Sequence, residues 1–161
     1  MEGVPAQSVP VSPFRKLLYD GDRVMAVYIG DAKNTQAVRT AMKINYTVAQ
    51  IINPALKKQY PNDSYQVRQV VGVDTSELWI ARVGIRNDND LVWVGRAANY
   101  AAKLCSESAD YPTYITADVF SRMADMVKYS SADHTLMWTE FKWAARGNIV
   151  VHRSNWWYTI S

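Results

Sequence analysis

Two β-rich runs meet at Asp20-Gly21, and that junction constrains the chain more than any other feature. Glycine tolerates the positive φ that a tight primed turn demands, so the two runs are predicted to fold back on each other as a hairpin. Phe14 to Tyr19 enters the turn; Arg23 to Ile29, reading RVMAVYI, leaves it. A helical pattern follows, which Asp31 or Asn34 can cap. Val38, Ala41, Ile44, Val48 and Ile51 recur every three or four residues and predict an apolar stripe on one helix face. Pro54 predicts an end or a kink near Asn53.

Further along, Tyr65–Val73 and Leu78–Arg86 read as strands, with Thr75-Ser76 between them. The polar run 87–90 reads as a turn, and Leu91–Val94 as a short strand. Gly95 opens a second helix carrying Ala97, Ala98, Ala101, Ala102 and Leu104. A small strand at Tyr114–Thr116 and a helix over Asp118–Val127 come next. Three strand-like pieces close the chain, at Leu136–Phe141, Asn148–Val151 and Trp156–Ile160. Pro5, Pro10 and Pro13 remove backbone donors and make 1–13 a flexible leader; 14–161 reads as a single domain. Mixed helices and strands with two hairpin signals predict an α+β fold.

At 161 residues the chain has room for one compact domain. Hydrophobic residues at 48% and charged residues at 20% exclude intrinsic disorder. No apolar run approaches the roughly 20 residues that span a bilayer, so no membrane is expected. The start lacks a basic stretch followed by an apolar one, so no secretory signal is expected. Cys105 is the only cysteine, which rules out an internal disulfide and fits a reducing, cytoplasmic setting. No paired Cys/His spacing suggests zinc. The 18 basic against 15 acidic residues give +3, enough to favour an anionic ligand such as a nucleotide. The basic residues are too few and too scattered for nucleic acid. His134 and His152 have no serine-nucleophile motif near them, which excludes triad chemistry. The six tryptophans and ten tyrosines read as core or interface residues.

Four segments in order carry a resemblance. They are YDGDRVMAVYIG (19–30), VVGVDTSEL (70–78), LVWVGRAANYAAKL (91–104) and YITADVF (114–120). This order resembles the catalytic domain of class III nucleotidyl cyclases. That family runs through a Gly-Asp hairpin, a V-G-I-H-T-G strand end, G-x-x-V-N-x-A-A/S-R-L on a helix and an I-x-V-S strand. Within it the wording is most similar to bacterial antiphage pyrimidine cyclases of the Pycsar type. Adenylate and guanylate cyclases read their purine with a Lys or Glu three residues before the hairpin glycine, where this chain has Leu18. Adenylate cyclases add an Asp three residues before the helix glycine, where this chain has Val92.

The resemblance implies a ferredoxin-like class III cyclase fold with a mostly antiparallel sheet and flanking helices. It implies a lyase that converts UTP or CTP to a 3′,5′-cyclic nucleotide and pyrophosphate, as a second messenger in antiviral defence. A downstream effector sensing the cyclic nucleotide would follow. Asp22 stands where the family places a metal carboxylate for Mg²⁺ or Mn²⁺, and is otherwise a solvated turn acid; Asp20 is the weaker candidate. Asn99 matches the ribose-orienting Asn. Lys103 stands in place of the transition-state Arg, supplying a cation without the bidentate fork. Arg96 follows Gly95 where the family has Asp or Asn; it would contact base or phosphate, or cap an interface. Arg146 and Arg153 are candidate triphosphate contacts. The family's F-x-D-x-x-x-x-T strand, with its first metal Asp and phosphate-binding turn, has no counterpart before Phe14. The domain is thus expected to be N-terminally incomplete, its two-metal site short of one Asp. Class III sites are shared between chains, which implies a homodimer. The alternative is a non-catalytic, cyclase-like dimerisation or nucleotide-binding module.

Overall fold

The computed structural model describes residues 14–20, 23–83 and 90–160, with the backbone alone for 14–20, 80–83 and 90–93. The leader expected over 1–13 and the turn residue Asp22 lie outside these residues. The first hairpin is formed by Phe14–Asp20 (β1) and Arg23–Tyr28 (β2), antiparallel and with Asp20 opposite Arg23 at its end.

The helix that follows starts at Lys33 (α1, Lys33–Tyr46), passes through a π-helical segment at Thr47–Ile52, and resumes as α2 (Asn53–Gln59). Pro54 does not end the helix near Asn53. It occupies one of the first positions of α2, where a missing N–H is tolerated. The Asn53 N–H reaches back to the Val48 carbonyl, the five-residue bond of a π turn. The buried stripe is also rotated from the expected one. Asn34, Val38, Ala41, Met42, Asn45 and Val48 face inward, whereas Ile44 and Ile51 are exposed. The chain's tail explains the rotation. Asn45 Nδ2 donates to the carbonyls of Asn155 and Trp156, both at 3.1 Å, and the Tyr158 N–H donates to the Met42 carbonyl. Residues 156–160 therefore run along α1 and are not the strand the sequence suggested.

The main sheet has four strands: Val71–Val73 (β3), Thr113–Thr116 (β6), Thr139–Trp143 (β7) and Ile149–Ser154 (β8). Their order is β3-β6-β8-β7, with β3 parallel to β6 and the other two pairs antiparallel. The fold is thus α+β with a mixed sheet. A second ribbon pairs Trp79–Val83 (β4) with Asp90–Val94 (β5). Two helices complete the fold: Arg96–Leu104 (α3), which follows β5, and Ala117–Arg122 (α4), which follows β6. The helix expected over 118–127 is broken, since Met123 and Ala124 are extended before a 3₁₀ turn at Asp125–Val127. The break lets Met123 and Val127 both enter the core while Thr35 Oγ1 accepts the freed Ala124 N–H at 2.9 Å.

Every residue of β6 is buried, as a strand covered on both faces must be. Ile115 packs with Val38, Met42, Val119, Val127 and Trp138 on the α1 and α4 side. Tyr114 packs with Leu104, Trp143 and Val151 on the α3 side. Among the described residues no helix is long and apolar enough to cross a membrane.

Candidate active site around helix α3

Two glycines let α3 sit where it does. A Cβ on Gly72 of β3 would lie 2.2 Å from the Ala101 carbonyl oxygen and 2.7 Å from Leu104 Cβ. A Cβ on Gly95 would meet the Glu77 oxygen and Leu78 Cδ2, both at 2.8 Å. Only a missing side chain permits such close approach of helix to strand. Leu104, fully buried, then anchors the C-terminal end of α3 against Trp143 and Val151.

The N-terminal end of α3 is held by polar groups at the ends of the parallel strands. Thr116, at the end of β6, donates its hydroxyl to Asp74 Oδ1 at 2.6 Å. The Asp74 side chain is wholly buried, and its other oxygen lies 3.4 Å from Arg96 Nε. Arg96 Nη2 donates to the Thr75 carbonyl at 2.8 Å and to Asp118 Oδ2 at 2.5 Å. The Ala97 N–H, unsatisfied within the helix, donates to Ser76 Oγ at 3.0 Å. The hydrogen bond from Arg96 holds the Asp118 carboxyl below its usual range, and Asp118 in turn raises the guanidinium.

Asn99 and Lys103 lie one helical turn apart on α3 and are both exposed. Neither side chain has a hydrogen-bond or ion-pair partner among the described residues. Tyr100, between them in sequence, turns to the other side. Its ring lies edge-on to Trp143 with centroids 5.4 Å apart, and has the guanidinium carbons of Arg96 and Arg146 at 5.6 and 5.7 Å. Arg146 comes from the turn between β7 and β8, where Gly147 and Asn148 take positive φ. It has no carboxylate partner among the described residues, and its buried Nε has no hydrogen bond. Arg146 and Arg96 are thus brought together over one ring. Arg153 is elsewhere, stacked on Tyr111 at 4.0 Å and Phe141 at 4.6 Å.

Leu18 lies on β1 opposite Met25, and Val92 on β5 opposite Ala81; their side chains are outside the described set. Asp22 is outside it altogether. Among the described residues no group of three or more His, Cys, Asp or Glu is placed to hold a metal ion. Sequence reasoning passed over Asp74, Thr116, Asp118 and Tyr100. The available signal was Arg96 itself: an arginine where an acid or amide is expected needs a new partner, and VDTSEL offered one in Asp74.

No family model matches the chain. It is 54% identical over 142 residues to a uridylate cyclase of Burkholderia cepacia, a match covering 88% of this chain and 60% of the relative. It is 48% identical over 142 residues to a uridylate cyclase of Xanthomonas perforans, with the same coverage. A uridylate cyclase of Rhodovulum sp. (strain MB263) is 35% identical over 144 residues, covering 86% of this chain and 60% of that one. The chain therefore spans about three fifths of the length of these curated relatives.

Proposed function

We propose that the chain belongs with the uridylate cyclases it resembles and turns over a pyrimidine nucleoside triphosphate, UTP or CTP, to a 3′,5′-cyclic nucleotide. In the reaction the ribose 3′-oxygen forms a bond to the α-phosphorus and loses its proton to solvent. The bond from the α-phosphorus to the β-phosphate bridge oxygen breaks, and pyrophosphate leaves. The product serves as a second messenger in antiviral defence, read by a cyclic-nucleotide-sensing effector. In this reading, residues 14–161 act as one cyclase-like domain of class III, ferredoxin-like design with a mostly antiparallel sheet. It works in the cytoplasm as a homodimer, binding neither nucleic acid nor membrane.

The observation that carries this reading is the exposed pair on α3. Asn99 and Lys103 project from a helix fixed at both ends, and no described group of the chain engages them. Asn99 orients the ribose, and Lys103 meets the charge that builds on the α-phosphate. Arg146 binds the polyphosphate. Arg96 joins it through Nη1, the one nitrogen of its guanidinium that no described group engages. Leu18 and Val92 stand where the family reads its purine with polar side chains and offer no hydrogen-bonding group, which favours a pyrimidine. Asp22 would hold the Mg²⁺ or Mn²⁺ expected from the resemblance; such ions, when bound, would acidify the ribose hydroxyl and neutralise pyrophosphate.

Lys103 also favours a second reading, because a lysine lacks the fork that would grip the transition state from two sides. The chain would then be a cyclase-like module that binds nucleotide without turnover. Incubation with each nucleoside triphosphate and Mn²⁺, followed by pyrophosphate and cyclic-nucleotide analysis, separates the two. Turnover of UTP or CTP at least tenfold faster than ATP supports the cyclase. Equal or faster turnover of ATP overturns the pyrimidine assignment. Tight UTP binding with no product supports the module.

A further inference from the structure

Asp74 is a carboxylate with no exposed surface, placed where the two parallel strands β3 and β6 end and two helices begin. Burying a carboxylate costs several kcal/mol unless charge and hydrogen bonds compensate. Here the compensation comes from two different elements: a hydrogen bond from the Thr116 hydroxyl at 2.6 Å to Oδ1, and the charge of Arg96, whose Nε lies 3.4 Å from Oδ2 without a hydrogen bond to it. Arg96 is the first residue of α3, and its Nη2 is fixed by Thr75 and Asp118. Four segments, the ends of β3 and β6 and the starts of α3 and α4, thus converge on one guanidinium edge. Asn99 follows one turn later, with its N–H bonded to the Gly95 carbonyl.

We propose that the buried Asp74–Thr116 pair, acting through Arg96, is the positioning device that sets the placement of Asn99 and Lys103 in the reaction. The proposal rests on the cyclase reading above. Arg96 has two edges with two tasks. The Nε/Nη2 edge fixes α3, and no described group engages Nη1. Two departures from the class III pattern coincide here. Asp74 stands for the histidine of the strand end, and Arg96 for the acid or amide after the helix glycine. The cation and the anion have exchanged sides, and they meet at 3.4 Å.

Two readouts test this on the full chain, one independent of turnover. Asp74→Asn keeps the shape and an oxygen for Thr116 but removes the charge facing Arg96. Amide hydrogen exchange over 97–104 should accelerate at least tenfold, with exchange in β6 and β8 unchanged. UTP turnover should fall about 10²-fold in kcat, the cost expected of a slightly misplaced group, with KM within threefold. Thr116→Val, which keeps the ion pair, should act in the same direction more weakly, and decides the matter if Asp74→Asn does not fold. Val151→Ala, a core change beneath the same helix, should lower thermal stability without altering kcat. Unchanged α3 exchange and kcat within twofold in both Asp74→Asn and Thr116→Val would overturn the proposal. So would a kcat loss in Val151→Ala equal to that in Asp74→Asn, since stability alone would then explain it. Absence of UTP turnover in the parent chain would overturn the cyclase reading instead, and the exchange result would still decide whether Asp74 seats the helix.

Discussion

Around α3 the charged groups at the strand ends find partners inside the chain, including a wholly buried carboxylate that accepts one hydrogen bond and faces a guanidinium. Along the two ribbons the balance is reversed. Trp79 and Val94 face each other across β4 and β5 and are 75% and 55% exposed, while Val24 on β2 is 58% exposed. The helix seat is completed by contacts within the chain. The ribbons are two-stranded, and such a ribbon is marginal in water without a further surface. The contrast separates what one copy of the chain builds alone from what a second surface would complete. It also puts Asn99 and Lys103 in context: they sit on the finished element but point out of it.

The largest expected effect tests the outward-pointing pair. Asn99→Ala and Lys103→Ala should each lower kcat for UTP by about 10²–10³, the usual loss for a charge-stabilising donor. KM and the circular dichroism spectrum should hardly change. Lys103→Arg should hold or raise turnover, because it adds the fork. Losses of only a few-fold in a folded, UTP-binding protein would return both residues to the solvated surface.

Next comes the seat itself. Gly72→Ala drives a methyl into the Ala101 carbonyl, which is backbone and cannot swing aside. It should cost about 3 kcal/mol, typical of overpacking. The melting temperature should fall by roughly 6–12 °C for a domain of this size. A melting point within 2 °C of the parent would mean that α3 is more loosely seated than the 2.2 Å approach requires.

The ribbons yield a smaller effect on a different measurement. Trp79→Ser should weaken self-association by about tenfold or more, since buried tryptophans dominate interfaces. Its melting point at high dilution should not move. Sedimentation that shows only monomer for the parent, with and without nucleotide, would remove the second copy as the surface that covers Trp79.

The smallest effect is a pH dependence at the other face of the sheet. His152 stacks on Phe120 with centroids 3.9 Å apart, and Lys128 lies over the same ring. Burial lowers the His152 pKa, and Glu140, opposite it on β7, opposes that shift. The fold therefore favours the neutral ring. The stability this brings is fully present above the unfolded pKa of about 6.5 and is lost as pH falls through the lower folded value. The denaturation midpoint should therefore be slightly lower at pH 5 than at pH 7. The difference should vanish in His152→Gln while the behaviour of α3 stays the same.

The elements were most legible where local chemistry alone decides. Asp20-Gly21 announces the first hairpin, and the alanine-rich run after Gly95 announces α3, because turn geometry and helix propensity act within a few residues. Expectations failed where a distant segment intervened. Ile44 and Val48 look equivalent in sequence, yet the tail carbonyls at Asn155 and Trp156 draw Asn45 inward and leave Ile44 exposed. Pro54 reads as an end or a kink, and the structure has a π-helical segment before it through which the helix runs on. In the proposed site, Asn99, Lys103 and Arg146 were singled out as candidates by motif and place. Tyr100, which gathers Arg96 and Arg146 over one ring, was not, since Arg146 arrives from a turn about 45 residues away.

What the sequence by itself determined is the inventory: a hairpin, a long helix, a glycine-led helix with an Asn and a Lys one turn apart, and four segments in a recognisable order. Turn preference and helical periodicity are short-range and leave their mark in consecutive residues. Only the tertiary structure decided which of those polar residues face outward. Asp74, Asp118 and Arg96 are as hydrophilic as Lys103, but the parallel ends of β3 and β6 bring both carboxylates within 4 Å of the Arg96 guanidinium. A buried charge persists only when its partner arrives with it, and that arrival depends on strand pairing across some 40 residues, not on any neighbour in the chain.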